Sequence, residues 1–213
     1  GESIGLLALV SETLLLDLSA LLEDDKEPDV KVASLNSLKY VFSTRKYTEK
    51  QLYRVITVLI KSLNSDDLKQ KSMAYSSLVN FAYNYSDVIR NASNAEYLTS
   101  ILDFFDKNYK YDENLIDKIN LGGGIVIKND KGLTIRKSIF STIKIFLEKL
   151  PEKLKFERTI AIIIEGLRDN EDIQNIAFSC IDKLSTITPS AFISVIEPII
   201  EILYSRLKTL KST

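Results

Sequence analysis

The 213-residue sequence contains no histidine and a single cysteine, Cys180. Without histidine, Ser-His and Cys-His activation of a nucleophile is excluded, and zinc loses its commonest nitrogen ligand. One cysteine builds neither a disulfide framework nor a thiolate metal site, and fits a reducing compartment. No cation or helix N-terminus adjoins Cys180 in the sequence, so it is predicted to be a buried structural thiol. Neither charge sign prevails: 28 Lys and Arg face 29 Asp and Glu, a net charge of −1. The basic excess or stripe of a nucleic-acid binder is missing. The longest apolar runs, such as Ile160 to Ile164, fall far short of a membrane span, and no basic-then-apolar signal segment opens the chain. The carboxylates are scattered and read as solvated surface. No catalytic residue, metal ligand, cofactor or small-molecule substrate is expected. The sequons Asn84-Tyr85-Ser86 and Asn91-Ala92-Ser93, lacking a secretory signal, are read as chance.

Seven glycines and four prolines are few, as suits a helical chain with short turns. Apolar residues at 45% and charged residues at 27% are ordinary for a globular protein. Four segments share one register, with apolar residues eight and eleven positions after the start. They are Val30-Leu38-Val41, Gln70-Leu78-Phe81, Ile135-Ile143-Phe146 and Ile173-Ile181-Leu184. Those offsets fall on one helical face. The fifth residue of each segment is Ser34, Ala74, Ile139 and Ala177, three of them small enough for close helix approach. Successive starts lie 40, 65 and 38 residues apart. Periods near forty with two helices per unit are those of HEAT and armadillo repeats, and the long step implies an insertion of about 25 residues. Partner helices are predicted at Leu6–Leu22, Leu52–Leu63, Tyr97–Phe105 and Phe156–Leu167, and an unpaired one at Ala191–Leu207. Pro28, Pro151 and Pro189 sit near predicted helix starts, and Asp29, Asp66 and Asp172 supply N-cap or first-turn carboxylates. The expected fold is an all-α HEAT solenoid with approximate repeats 1–44, 45–86, 87–149, 150–187 and a half repeat 188–213.

The insertion holds Gly122-Gly123-Gly124, which a helix tolerates poorly. Ile119 and Leu121 alternate before it, Ile125 and Ile127 after it. A three-residue loop would pair Leu121 with Ile125 and Ile119 with Ile127 in a β-hairpin over 118–128. That register puts four aliphatics on one face, with Lys118, Asn120, Val126 and Lys128 on the other. The spacing of a phosphate-binding loop is absent. Two readings of the hairpin remain open, packing on its own repeat or docking on a partner. The marginal stability of an isolated hairpin in water favours a partner.

The stretch from Asn129 to Phe140, Asn-Asp-Lys-Gly-Leu-Thr-Ile-Arg-Lys-Ser-Ile-Phe, resembles the C-terminal repeats of the cullin-associated and neddylation-dissociated (CAND) proteins, their TATA-binding-protein-interacting domain. Glu165-Gly166-Leu167-Arg168-Asp169, the run Leu184 to Ala191, and Glu197-Pro198 are similar to the repeat that follows in that family. The likeness is good from Lys118 to about Leu207 and weaker over residues 6–90. It implies a non-enzymatic scaffold, cytoplasmic and nuclear, that binds a cullin and its RING subunit when the cullin is unmodified. It further implies that the hairpin excludes or exchanges the adaptor and substrate-receptor module of SCF-type ubiquitin ligases. TATA-binding protein is a second implied partner. Partner-binding residues are then expected at Ile119, Leu121, Gly122, Gly123, Gly124, Ile125, Val126, Ile127, Arg136 and Lys137. The glycine tip departs from the family pattern. Opening on Gly1 and closing on an unpaired helix, the chain reads as a C-terminal fragment. Two expectations compete with it: another HEAT or armadillo scaffold, of phosphatase or transport type, and an enzyme with a carboxylate-based site, which the missing histidines disfavour.

Overall fold

Short polar segments break the apolar periodicity, and three of the long helices open on a side chain that meets an amide at their start. Gln51 Oε1 accepts from the Thr48 N–H at 2.9 Å. Asp67 and Asn170 accept from the amides of Gln70 and Ile173 at 2.7 and 3.1 Å. These side chains satisfy amides that a helix start leaves without internal partners. The cap of the second repeat's stacking helix is therefore Asp67, one residue beyond the expected Asp66. A side chain reaches the third amide only from the residue flanking the helix.

The computed structural model describes residues 13–24, 27–44, 47–91, 95–123, 125–193 and 196–210. In order these form α1 (Thr13–Asp24), α2 (Pro28–Thr44), α3 (Glu49–Leu63), α4 (Leu68–Asn84), the short α5 (Ser86–Arg90) and α6 (Ala95–Asn108). The strands β1 (Ile116–Gly122) and β2 (Ile125–Asp130) follow. Then come α7 (Leu133–Lys149), α8 (Phe156–Gly166), α9 (Glu171–Ile187), the short α10 (Pro189–Ile193) and α11 (Ile196–Leu210). Most of the expected Leu6–Leu22 helix is α1, and its first turns lie outside the described residues. Pro28 and Pro189 open α2 and α10, and Pro151 opens a single 3₁₀ turn at Pro151–Lys153. A missing N–H costs nothing in those positions.

The four register segments form one layer, in which α2 packs on α4, α4 on α7 and α7 on α9. Behind it, α1 packs on α3 and α3 on α6. Arg158 of α8 reaches Asp103 and Asp106 of α6 at 2.9 and 2.6 Å, tying consecutive back helices together. This is the two-layer stack of a helical solenoid, each pair burying its stripe against its neighbours. The register residues Leu38, Val41, Leu78, Phe81, Ile143, Phe146 and Leu184 are buried, with Ser34, Ala74, Ile139 and Ala177. Ile181 is only partly buried.

A further stripe, seven residues after each start, is small and weakly polar: Ser37, Ser77, Thr142 and Cys180, all buried. Ser77 Oγ donates to the carbonyl of Leu35 at 2.7 Å, from α4 to α2. At the same place between α9 and α7, Cys180 Sγ faces the carbonyl of Phe140 at 3.9 Å. Cys180 is thus the counterpart of a stacking serine. Burial pushes its thiol up to about 12, the nearby Lys144 opposing and Glu148 reinforcing that shift. Tyr75, Phe81 and Tyr85 are core, whereas Tyr83 is exposed with Lys149 over its ring at 4.3 Å.

Candidate docking site on the hairpin

Between α6 and α7 the chain leaves the stack. Asp112 accepts from the Asn114 amide, a 3₁₀ turn spans Glu113–Leu115, and β1 and β2 run out antiparallel and return. The strands are longer than the expected 118–128, beginning with the pair Ile116–Asp130. Ile119 faces Ile127 as expected. Leu121 does not face Ile125, because Gly122 does, and Leu121 is the extra residue of a bulge between Asn120 and Gly122. Gly122 and Gly123 adopt φ of +84° and +61°, and because Gly122 ends β1 opposite Ile125 the turn begins at Gly123, one residue later than the expected loop. A side chain rarely adopts that region, and glycine enters it without strain. The Asn120 side chain accepts from the Gly122 amide at 2.9 Å and holds the bulge. The third glycine, Gly124, lies outside the described residues.

Ile119, Leu121, Ile125, Val126 and Ile127 are 48–61% exposed, and none belongs to the core or to the side chains packed against it. Ile119, Leu121, Ile125 and Ile127 form an apolar surface that water covers poorly, with Val126 on the opposite face. Among the described residues, the ion pair and backbone hydrogen bond that tie the arm to its surroundings lie near its root. Lys131 pairs with Asp117 at 2.8 Å, and its amide donates to the Leu115 carbonyl at 3.0 Å.

The strongest root contact is Arg136. Its Nε and Nη2 meet Asp169 at 2.7 and 3.0 Å, and its Nη2 and Nη1 meet Asp130 at 2.7 and 3.3 Å. The guanidinium lies 5.4 Å from the Tyr111 ring centre. Burial alone would lower the Arg136 pKa, but hydrogen bonds and charge from Asp169 and Asp130 outweigh it and hold the pKa above its ordinary value. The expectation that Arg136 contacts a partner is corrected here. It is 1% exposed and its donors are committed to two carboxylates. Its role is to fasten the end of β2 and the α8–α9 turn to α7. Gly132 makes room, since a Cβ there would stand 3.0 Å from both Arg136 Nη1 and Leu115 Cδ1. Lys137 is on the surface, paired with Asp172 at 3.0 Å.

The sequence reading missed Asp130 and Asp169 as a pair, although both lie in the motifs it singled out. Periodicity carried the signal for Arg136: Arg136, Phe140, Ile143 and Leu147 share a helical face, and all four are buried. Among the described residues no group of three or more acidic or thiol side chains is arranged to hold a metal ion. None of the described helices is long and apolar enough to cross a membrane.

The fold and the arm define a helical-repeat scaffold with an inserted hairpin. Residues 94–213 match the family described as TIP120, TATA-binding protein interacting (TIP20), and the chain belongs to that family. A curated relative, the cullin-associated NEDD8-dissociated protein 2 of Mus musculus, is 23% identical over 203 residues. The match covers 94% of this chain and only 16% of that relative's length. Among solved structures, an engineered protein superposes with a TM-score of 0.64 at 15% identity, covering 96% of this chain and 81% of the other. A designed armadillo repeat protein gives 0.58 at 13% identity, covering 92% and 79%. These two likenesses establish the fold alone.

Proposed function

We propose that this chain is the part of a longer scaffold that docks on an unmodified cullin–RING complex and displaces the adaptor with its hairpin. The observation that carries the reading is the row of half-exposed aliphatics on an arm fastened rigidly at its root by Arg136. The kinship with a cullin-associated relative supplies the kind of partner. No bond is made or broken in such a role. Contact along the stack provides affinity, and the arm competes for a surface.

The reading is tested by changing Leu121 and Ile125 to Ser in the full-length protein. Burying each such side chain contributes roughly 1.5–3 kcal/mol, so the double change weakens the local contact by tens-fold or more. The expected outcome is a protein that still binds the cullin–RING complex yet no longer displaces adaptor in a competition assay. Unchanged displacement would sink the proposal. The family description raises a second partner, TATA-binding protein, and the same variant measured against it decides whether the arm serves that contact instead.

A further inference from the structure

The hairpin has a second face, and its charge is uncompensated. Lys118 and Lys128 stand directly opposite one another in the ladder. Side chains so placed have Cβ atoms about 4.5–5.5 Å apart, and two like charges there destabilise the pairing. The carboxylates near them are already engaged. Asp117 is bound to Lys131 and points to the aliphatic face, and Asp130 is held by Arg136. Among the described residues neither lysine has an ion pair with a carboxylate. Asn120 and the exposed Val126, the next pair toward the tip, complete a face that is cationic beside apolar. The chain as a whole carries a charge of −1, so this cationic spot is local and not a consequence of a basic protein.

We propose that this face takes an acidic strip on the partner protein, with partner carboxylates relieving the Lys118–Lys128 repulsion while the opposite face seats its aliphatics. The inference rests on the hairpin being the docking arm and adds the chemistry of the surface that receives it. A bland role competes with it: lysines on exposed strands discourage edge-to-edge aggregation. Glutamates would guard the strands equally well, and charge reversal separates the two roles.

The experiment measures association of the full-length protein with purified unmodified cullin–RING complex at about 0.05 M and about 0.5 M salt, where charge screening is weak and strong respectively. K118E with K128E is expected to slow association about tenfold or more at low salt, with the gap closing at high salt, since surface charges act mainly on the encounter rate. Arginine at both positions is expected to stay within about threefold of the parent, and glutamine at both to fall between. K50E with K153E, the same charge change at exposed positions outside the hairpin, controls for net charge. If glutamates at 118 and 128 associate as the parent does while L121S with I125S fails to displace adaptor, the lysines only guard the strands and this inference falls. If neither pair of changes has an effect, the docking reading itself falls. A loss confined to nucleic-acid binding, with cullin association intact, would also overturn the acidic-protein assignment.

Discussion

Arg136 shows how a charged side chain in a core becomes structural. Its two carboxylates come from places far apart in the sequence, the end of β2 and the turn between α8 and α9. Asp169 also accepts from the Asn170 amide at 2.7 Å, and the Gln174 side chain bonds its carbonyl. Asp130 likewise accepts from the Gly132 amide at 2.9 Å. Removing the cation leaves two partly buried acids with backbone amides to compensate them in its place, which costs up to about 3–5 kcal/mol, the range for fully buried pairs. Arg136→Met should therefore lower the urea midpoint by that equivalent, and Arg136→Lys by less, because one ammonium cannot serve both carboxylates bidentately. A loss under about 1 kcal/mol would show that the pair contributes little beyond its own desolvation. The motif Ile135-Arg136-Lys137 was legible as a repeat start but not as an ion-pair site. A single helix in sequence does not reveal that helices on both sides will cover it.

At the scale of the element, α8 approaches α7 closely at Gly166. A Cβ on Gly166 would lie 2.2 Å from Cε1 and 2.5 Å from Cζ of Phe140, whose ring is fully buried. The ring has no free volume to enter, so Gly166→Ala should destabilise by about 1–3 kcal/mol, as overpacking does. Combining it with Phe140→Leu should give a less-than-additive loss, the signature of a direct clash. Additive losses would mean that α8 shifts away instead. The four stacking helices were legible because offsets of eight and eleven recur in the sequence. The hairpin was legible from alternation around glycines, apart from its bulge. Three glycines in a row let the turn start at Gly123 as readily as at Gly122, and side-chain pattern alone does not choose between them.

The whole molecule behaves as a line of neighbours. Five residues after each register start stand Leu35, Tyr75, Phe140 and Phe178. The first three are completely buried and Phe178 is 39% exposed, because α9 is the last of the four stacking helices. Stability in such an array is a sum of repeat and nearest-neighbour contributions, so an element touching only one repeat adds little to the rest. The hairpin is such an element: its aliphatics lie outside the core, and the contacts named at its root involve residues before Lys118 or after Lys128. Replacing residues 118–128 by Asn-Gly joins Asp117 to Asn129 through a favoured two-residue turn and keeps Asp130 for Arg136. The shortened chain should keep its helical signal and unfold within about 1 kcal/mol of the parent. A loss above about 2 kcal/mol would place the arm's apolar face against its own repeats in solution, the alternative left open by the sequence. An unchanged stack that no longer displaces adaptor would separate the two duties, with the helices holding shape and the arm carrying the contact.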